Sequence, residues 1–165
     1  MIEQPFSQTH ISLAVCELSR FLSAVDAELL STEFAASEPW LTLGISAAGL
    51  KNYLLRDDVS LYRYIVQVNN QTAGVVCLRY PWLRGPYIEL LGLSKLYRGL
   101  GIGTALLDWV ENEARSQTHN VWLVASEFNQ PALQFYQRCG FEIIGSLEGL
   151  VHRDYDELLL RKRLT

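Results

Sequence analysis

The chain has 165 residues, 49% of them hydrophobic and 19% charged, and 14 basic against 18 acidic side chains leave a formal charge of −4. This size and balance predict one folded domain, 1–165, with its own core, and exclude a disordered chain. The negative charge disfavours nonspecific nucleic-acid binding, which needs a basic face, and no apolar run reaches the roughly 18 residues expected of a membrane helix.

Met1–His10 is polar and lacks a charged n-region followed by an apolar stretch, so no secretory leader is expected. His10–Leu18 contains the β-favouring run Ile11–Val15 and reads as a first strand. Ser19 is placed to cap a helix over Arg20–Leu30, with Phe21, Leu22, Val25 and Leu29 at helical spacing. Ser31–Ser46, with Pro39, Trp40 and Gly44, reads as a loop, and Ser46 caps a second helix to about Leu55. Leu61–Val68 and Thr72–Tyr80 form a strand pair across the Asn69-Asn70 turn. Pro81–Pro86 is a loop carrying Trp82 and Arg84, and Tyr87–Leu93 is the next strand.

The run Arg98–Thr104 then places Gly99, Gly101 and Gly103 at alternate positions before an amphipathic helix, Thr104–Arg115. Glycines let backbone approach a ligand closely, and the unpaired N–H groups of a helix start favour an anion. Arg98 adds a permanent cation, so a phosphate or pyrophosphate is the natural ligand. The Walker pattern requires a lysine after the glycines, and none follows. The dinucleotide fingerprint requires G-x-G-x-x-G and an acidic residue about 20 positions on, where this chain has the apolar run Val121–Val124. Both nucleotide readings therefore fit poorly.

Val121–Val124 reads as a strand, and Asn129-Gln130-Pro131 as a helix start. Ala132–Cys139 continues that helix, Gly140 ends it, and Phe141–Gly145 begins another strand. Leu147–Asp156 is a polar loop before a last strand, Glu157–Arg163. The order βααβββαβαββ suits a mixed α/β sheet with helices on its faces. Cys16, Cys77 and Cys139 show no CxxC spacing and no neighbouring histidine, so no metal site is expected, and an odd count without a leader suits a reducing, cytoplasmic compartment.

Arg98, Gly101 and Gly103 match the Gln/Arg-x-x-Gly-x-Gly/Ala pattern of the GNAT superfamily of N-acetyltransferases. Asn129, Ala132, Phe135-Tyr136 and Gly140-Phe141 resemble that family's later strand–helix–strand segment, so the resemblance is specific over Tyr87–Gly145. It implies a mostly antiparallel central sheet, splayed at the acetyl-CoA site, with helices on both faces. The activity implied is direct acetyl transfer from acetyl-CoA, a cosubstrate, to a primary amine of a small molecule or a peptide. The backbone of Leu91, Gly92 and Leu93 and the loop Arg98–Thr104, with Leu100 and Ile102, are expected to hold the cofactor. Asn129 suits either the pantetheine arm or a plain helix cap.

By the same resemblance Tyr136 is the acid that protonates the thiolate, unless it only lines the slot. The family's glutamate on the later strand is replaced here by Val124. Other members use a glutamate on the strand before the glycine loop, so the resemblance makes Glu89 the leading base, with Tyr87, Glu89 and Leu91 sharing a face by strand alternation; an outward, solvated carboxylate is the other reading. Glu127 and His152 are reserves. The acceptor pocket should draw on Ser31–Ser46, Pro81–Pro86 and Leu147–Asp156, with Trp40, Trp82 and Tyr155 as walls and Glu38, Asp154 and Asp156 facing a cation. The partners expected are the amine acceptor, with neither nucleic acid nor membrane, and a homodimer is compatible with the resemblance. A noncatalytic acyl-CoA-binding or sensory module is the alternative.

Overall fold

A computed structural model describes residues 3–165; Met1 and Ile2, the start of the segment expected to lack a leader, lie outside it. Strands β1 (His10–Ser12) and β2 (Glu17–Ser19) precede three helices, α1 (Ala24–Ala35), α2 (Trp40–Leu43) and α3 (Ala47–Leu55). The antiparallel run β3 (Leu61–Val68), β4 (Gln71–Trp82) and β5 (Gly85–Leu93) follows. A 3₁₀ turn at Lys95–Tyr97 leads to α4 (Ile102–Ala114), β6 (Asn120–Ser126), α5 (Gln130–Arg138), β7 (Glu142–His152) and β8 (Tyr155–Arg163).

The eight strands form one sheet in the order β1-β2-β3-β4-β5-β6-β8-β7. Only β5 and β6 run parallel, as a crossover through α4 requires. The sheet separates two cores. On one face Tyr64, Val76, Leu78, Ile88, Leu123 and Leu160 pack with Ile102, Leu106 and Leu133 of α4 and α5. On the other, Val75, Cys77 and Leu90 pack under Leu30, Phe34, Leu50 and Leu54 of α1 and α3. The mixed sheet with helices on both faces is the architecture expected.

Local details differ. The first strand is a hairpin, because Leu13 N donates to Cys16 O and folds the segment back. Helix α1 starts at Ala24, not Arg20: Ser23 and Asp26 form a reciprocal capping box, while Ser19 belongs to β2. That start turns Ala27, Leu30, Ser31 and Phe34 inward and leaves Phe21, Val25 and Leu29 77%, 78% and 52% exposed. The expected loop Ser31–Ser46 holds the end of α1 and all of α2, which Gly44 closes in the left-handed conformation. Pro81–Pro86 shrinks to a tight turn at Leu83-Arg84, and Leu147–Asp156 is mostly strand, closed at Arg153-Asp154. In each case the two arms of the turn pair with each other, Trp82 with Gly85 and His152 with Tyr155, which extends the strands into the expected loop.

Candidate active site

Helix α4 begins at Gly101, whose φ of +82° suits glycine, and no side chain caps it. The N–H groups of Ile102, Gly103 and Thr104 precede the first intrahelical bond, from Ala105 N to Gly101 O, and so have no helical acceptor. Arg98 Nε donates to Leu93 O at 3.0 Å, which holds the guanidinium between the end of β5 and the loop. These groups border one end of a cavity of about 750 Å³ lined by Arg98, Gly99, Gly101, Gly103 and Thr104. Leu100 and Ile102 do not line it: Leu100 is exposed and Ile102 is buried in the core, so only their backbone is available.

The cavity continues through the sheet. Strands β5 and β6 pair only at Tyr87–Trp122 and Ile88–Leu123, then diverge, so Glu89–Leu93 and Val124–Ser126 form its two walls. The backbone edge of β5 facing away from β4 is therefore unpaired beyond Ile88. Gly92 sits where a Cβ would fall 2.6 Å from the Phe34 ring, so the strand lies flat against α1. Leu91 and Leu93 share the α4 face.

Glu89 does not share that face. Cys77 pairs with Leu90 and Leu78 with Ile88, so Glu89 is the extra residue of a β-bulge, and the bulge resets the alternation. Tyr87 and Glu89 turn toward α3, and Leu91 turns away. Arg79 Nη2 donates to Glu89 Oε2 at 2.9 Å, and Tyr53 Oη donates to the same oxygen at 3.0 Å. Arg79 also pairs with Asp58, whose carboxyl is held down at about 2 by hydrogen bonds from Ser60 and Arg79. Glu89 lines the cavity, and Arg79 and Tyr53 occupy its oxygens.

On the α4 face, α5 carries Tyr136 to the cavity wall. Its ring packs on Phe135 and Phe141 at 5.3 and 5.9 Å, and its hydroxyl has no hydrogen-bond partner among the described residues. Burial pushes the phenol up to about 12, so it is a proton donor at neutral pH. Asn129 precedes α5 without a side-chain capping bond and lines the cavity, which leaves its amide free.

The far end of the cavity lies on the α1–α3 face. Glu38, Pro39, Trp40, Leu43 and Ile45 form one wall, and Leu150 and Val151 of β7 face them. Trp40 is fixed by stacking on Phe34 at 4.8 Å. Other expected wall residues are elsewhere. Trp82 is wedged between Tyr87 and Trp122. Glu127, Asp154, Tyr155 and Asp156 line a separate cleft of about 240 Å³. His152 packs on Tyr155, outside both cavities. One residue was missed altogether: Glu157, 4% exposed at the start of β8, lines the main cavity and accepts from Ser126 Oγ at 2.7 Å. In sequence it opens the last strand directly after Asp154-Tyr155-Asp156, and no local signal marks it as buried.

The profile of the acetyltransferase (GNAT) family matches residues 25–141. N-alpha-acetyltransferase 50 of Danio rerio is 40% identical over 81 residues, 46% of this chain and 48% of that protein. The chain spans about half the length of the curated relatives it matches. Among solved structures, Ard1 from Thermoplasma volcanium shares the fold with a TM-score of 0.71 at 18% identity, over 92% of this chain and 99% of that one. Arabidopsis thaliana Naa50, in complex with the bisubstrate analogue CoA-Ac-MVNAL, is 27% identical with a TM-score of 0.53, over 61% of this chain and 71% of that one. With the glycine loop, the splayed strands and a family match covering more than half its length, the chain belongs to the GNAT family of acetyltransferases.

Proposed function

We propose that this domain, 1–165, is an acetyl-CoA-dependent N-acetyltransferase that acts on a primary amine. The observation that carries the reading is the single cavity running from the uncapped start of α4, through the β5–β6 splay, to the wall formed by α2 and β7. Its shape and donor set fit the cosubstrate: open N–H groups and Arg98 for the phosphates, the free amide of Asn129 and the unpaired edge of β5 for the pantetheine arm. Acetyl-CoA supplies an electrophilic thioester carbon and a thiolate leaving group.

The chain's residues divide the remaining work. N–H groups on the open edge of β5 polarise the thioester carbonyl. Tyr136 donates its proton on the α4 face, where the leaving sulfur must lie if the phosphates sit at Arg98–Thr104. The acceptor enters from the α2–β7 side. A peptide amine is one acceptor class, supported by the relatives named for α-amine acetylation and by the peptide portion of the Naa50 analogue. Three free thiols and a net charge of −4 support a reducing, cytoplasmic setting without nucleic-acid or membrane partners, and a homodimer remains part of the proposal.

The test is thermal denaturation with CoA, acetyl-CoA, NAD and ATP, followed by thiol release with an amine panel. CoA and acetyl-CoA should raise the melting temperature, with a stabilisation of about 2.7 kcal/mol at a hundredfold excess over Kd, while NAD and ATP do little. No shift at millimolar CoA would overturn the cofactor assignment. A CoA shift without thiol release to any amine would favour a noncatalytic acyl-CoA-binding module.

A further inference from the structure

We infer that Glu157 is the general base, taking the proton from the attacking nitrogen on the sheet face opposite Tyr136. The inference rests on the transferase reading above. Glu157 pairs in register with Ser126, while the neighbouring pair Ala125–Leu158 points into the α4–α5 core. Alternation therefore puts Ser126 and Glu157 on the α1–α3 face, with Tyr87. That is the side on which an amine entering between Trp40 and Val151 would arrive.

The carboxylate is built for this task. It is nine-tenths buried, yet it lines the cavity. Ser126 occupies Oε1, while Oε2 has no hydrogen-bond partner and the group no cationic partner among the described residues. The facing charged and titratable groups are Tyr87 and Glu89 of β5, Arg79 behind Glu89, and Glu38 beside α2; β7 contributes Leu147, paired with Glu157, and the apolar Leu150 and Val151. Burial raises the Glu157 carboxyl, and the Ser126 hydrogen bond partly opposes that rise. Burial, then the charges of Glu89 and Glu157, push the Tyr87 phenol up to about 12. Of the two, Glu89 is committed to Arg79 and Tyr53, and Glu157 keeps an oxygen free.

The step balances. The neutral amine attacks the thioester carbon, the N–C bond forms, and the C–S bond breaks. The nitrogen's proton passes to Glu157 Oε2, and the thiolate takes a proton from Tyr136. Solvent then returns both residues to their starting states.

The experiment compares wild type, Glu157→Gln and Ser126→Ala, each checked for folding by circular dichroism. The acceptors are the peptide Met-Val-Asn-Ala-Leu, n-butylamine and spermidine, with acetyl-CoA. Glu157→Gln should lower kcat/KM at neutral pH by about 10²–10⁴, leave acetyl-CoA affinity unchanged and remove the carboxyl titration from the acidic limb of the pH profile, leaving only the amine's own. Ser126→Ala should move that limb to higher pH, because a donor that favours the charged form is gone. Carboxyl ¹³C titration of Glu157 in the ligand-free protein should report a raised value and the same upward move in Ser126→Ala. Superimposable profiles of wild type and Glu157→Gln, or an ordinary carboxyl titration, would overturn the assignment alone. A wild type silent with every amine would overturn the transferase reading and this assignment with it.

Discussion

The two faces of the sheet border the cavity with different materials. The α4 face uses backbone: the open N–H groups at Gly101–Thr104 and the unpaired edge of β5, with Arg98 and Asn129 at the margin. The α1–α3 face uses side chains brought from four separate elements: Trp40, Glu89, Val151 and Glu157. A phosphate chain has one chemistry, so a contiguous loop of fixed spacing can serve it in any member of a fold. An acceptor differs from one enzyme to the next, so its wall is assembled by topology from positions free to vary.

The comparison breaks first at Gly101. A β-branched residue at φ +82° is strained, and Gly101→Val should abolish CoA binding in calorimetric titration. No neighbouring atom lies within 4 Å of the added Cβ, so the fold should survive at a cost of about 1–2 kcal/mol, seen by circular dichroism as a melting point lower by roughly 2–8 °C. Unchanged affinity would move the phosphate site away from the backbone loop.

Tyr136→Phe sharpens the same contrast, because it removes the phenol proposed as the acid on the backbone-built face. Ring packing on Phe135 and Phe141 is kept, so acetyl-CoA affinity should hold while turnover falls by about 10²–10⁴. A fall of less than about threefold in steady-state rate would make Tyr136 a packing residue and leave protonation to water.

This difference in materials also decides what could be read from the chain. The cofactor half lies within Tyr87–Gly145, where glycine spacing, a cap position and an aromatic stand in a fixed local order. The fold followed, because strand and helix periods are local as well. The acceptor half was half legible: Glu38 and Trp40 line the cavity, while Trp82, Tyr155 and His152 do not. The face shared by Tyr87, Glu89 and Leu91 was misread because a bulge depends on the partner strand β4, which strand alternation alone ignores. Glu157 was invisible because its burial comes from pairing with Ser126, thirty-one residues away. The start of α1 was misplaced for a simpler reason: two serines, Ser19 and Ser23, compete as caps, and only the second has an acidic partner three residues on.

The smallest effect compares the two carboxylates through stability. Glu89 is paired with Arg79, so Glu89→Gln leaves a partly buried guanidinium with Asp58 as its one charged partner among the described residues, beside the Ser60 hydroxyl, and should destabilise the protein by about 1 kcal/mol. Glu157 should behave in the opposite sense. Its folded carboxyl is raised by burial above the value of the unfolded chain. A raised acid binds its proton more tightly when folded, so its stabilising contribution is full below the unfolded value and is lost as pH rises through the folded one. Above that window the ionised group opposes folding, and Glu157→Gln, which can still accept from Ser126, should be more stable than wild type. Below the unfolded value the two proteins should converge. Urea denaturation from pH 4 to 8 would measure this, and a Glu157→Gln protein less stable than wild type at neutral pH would mean that the carboxylate is held by a partner rather than kept free for a substrate.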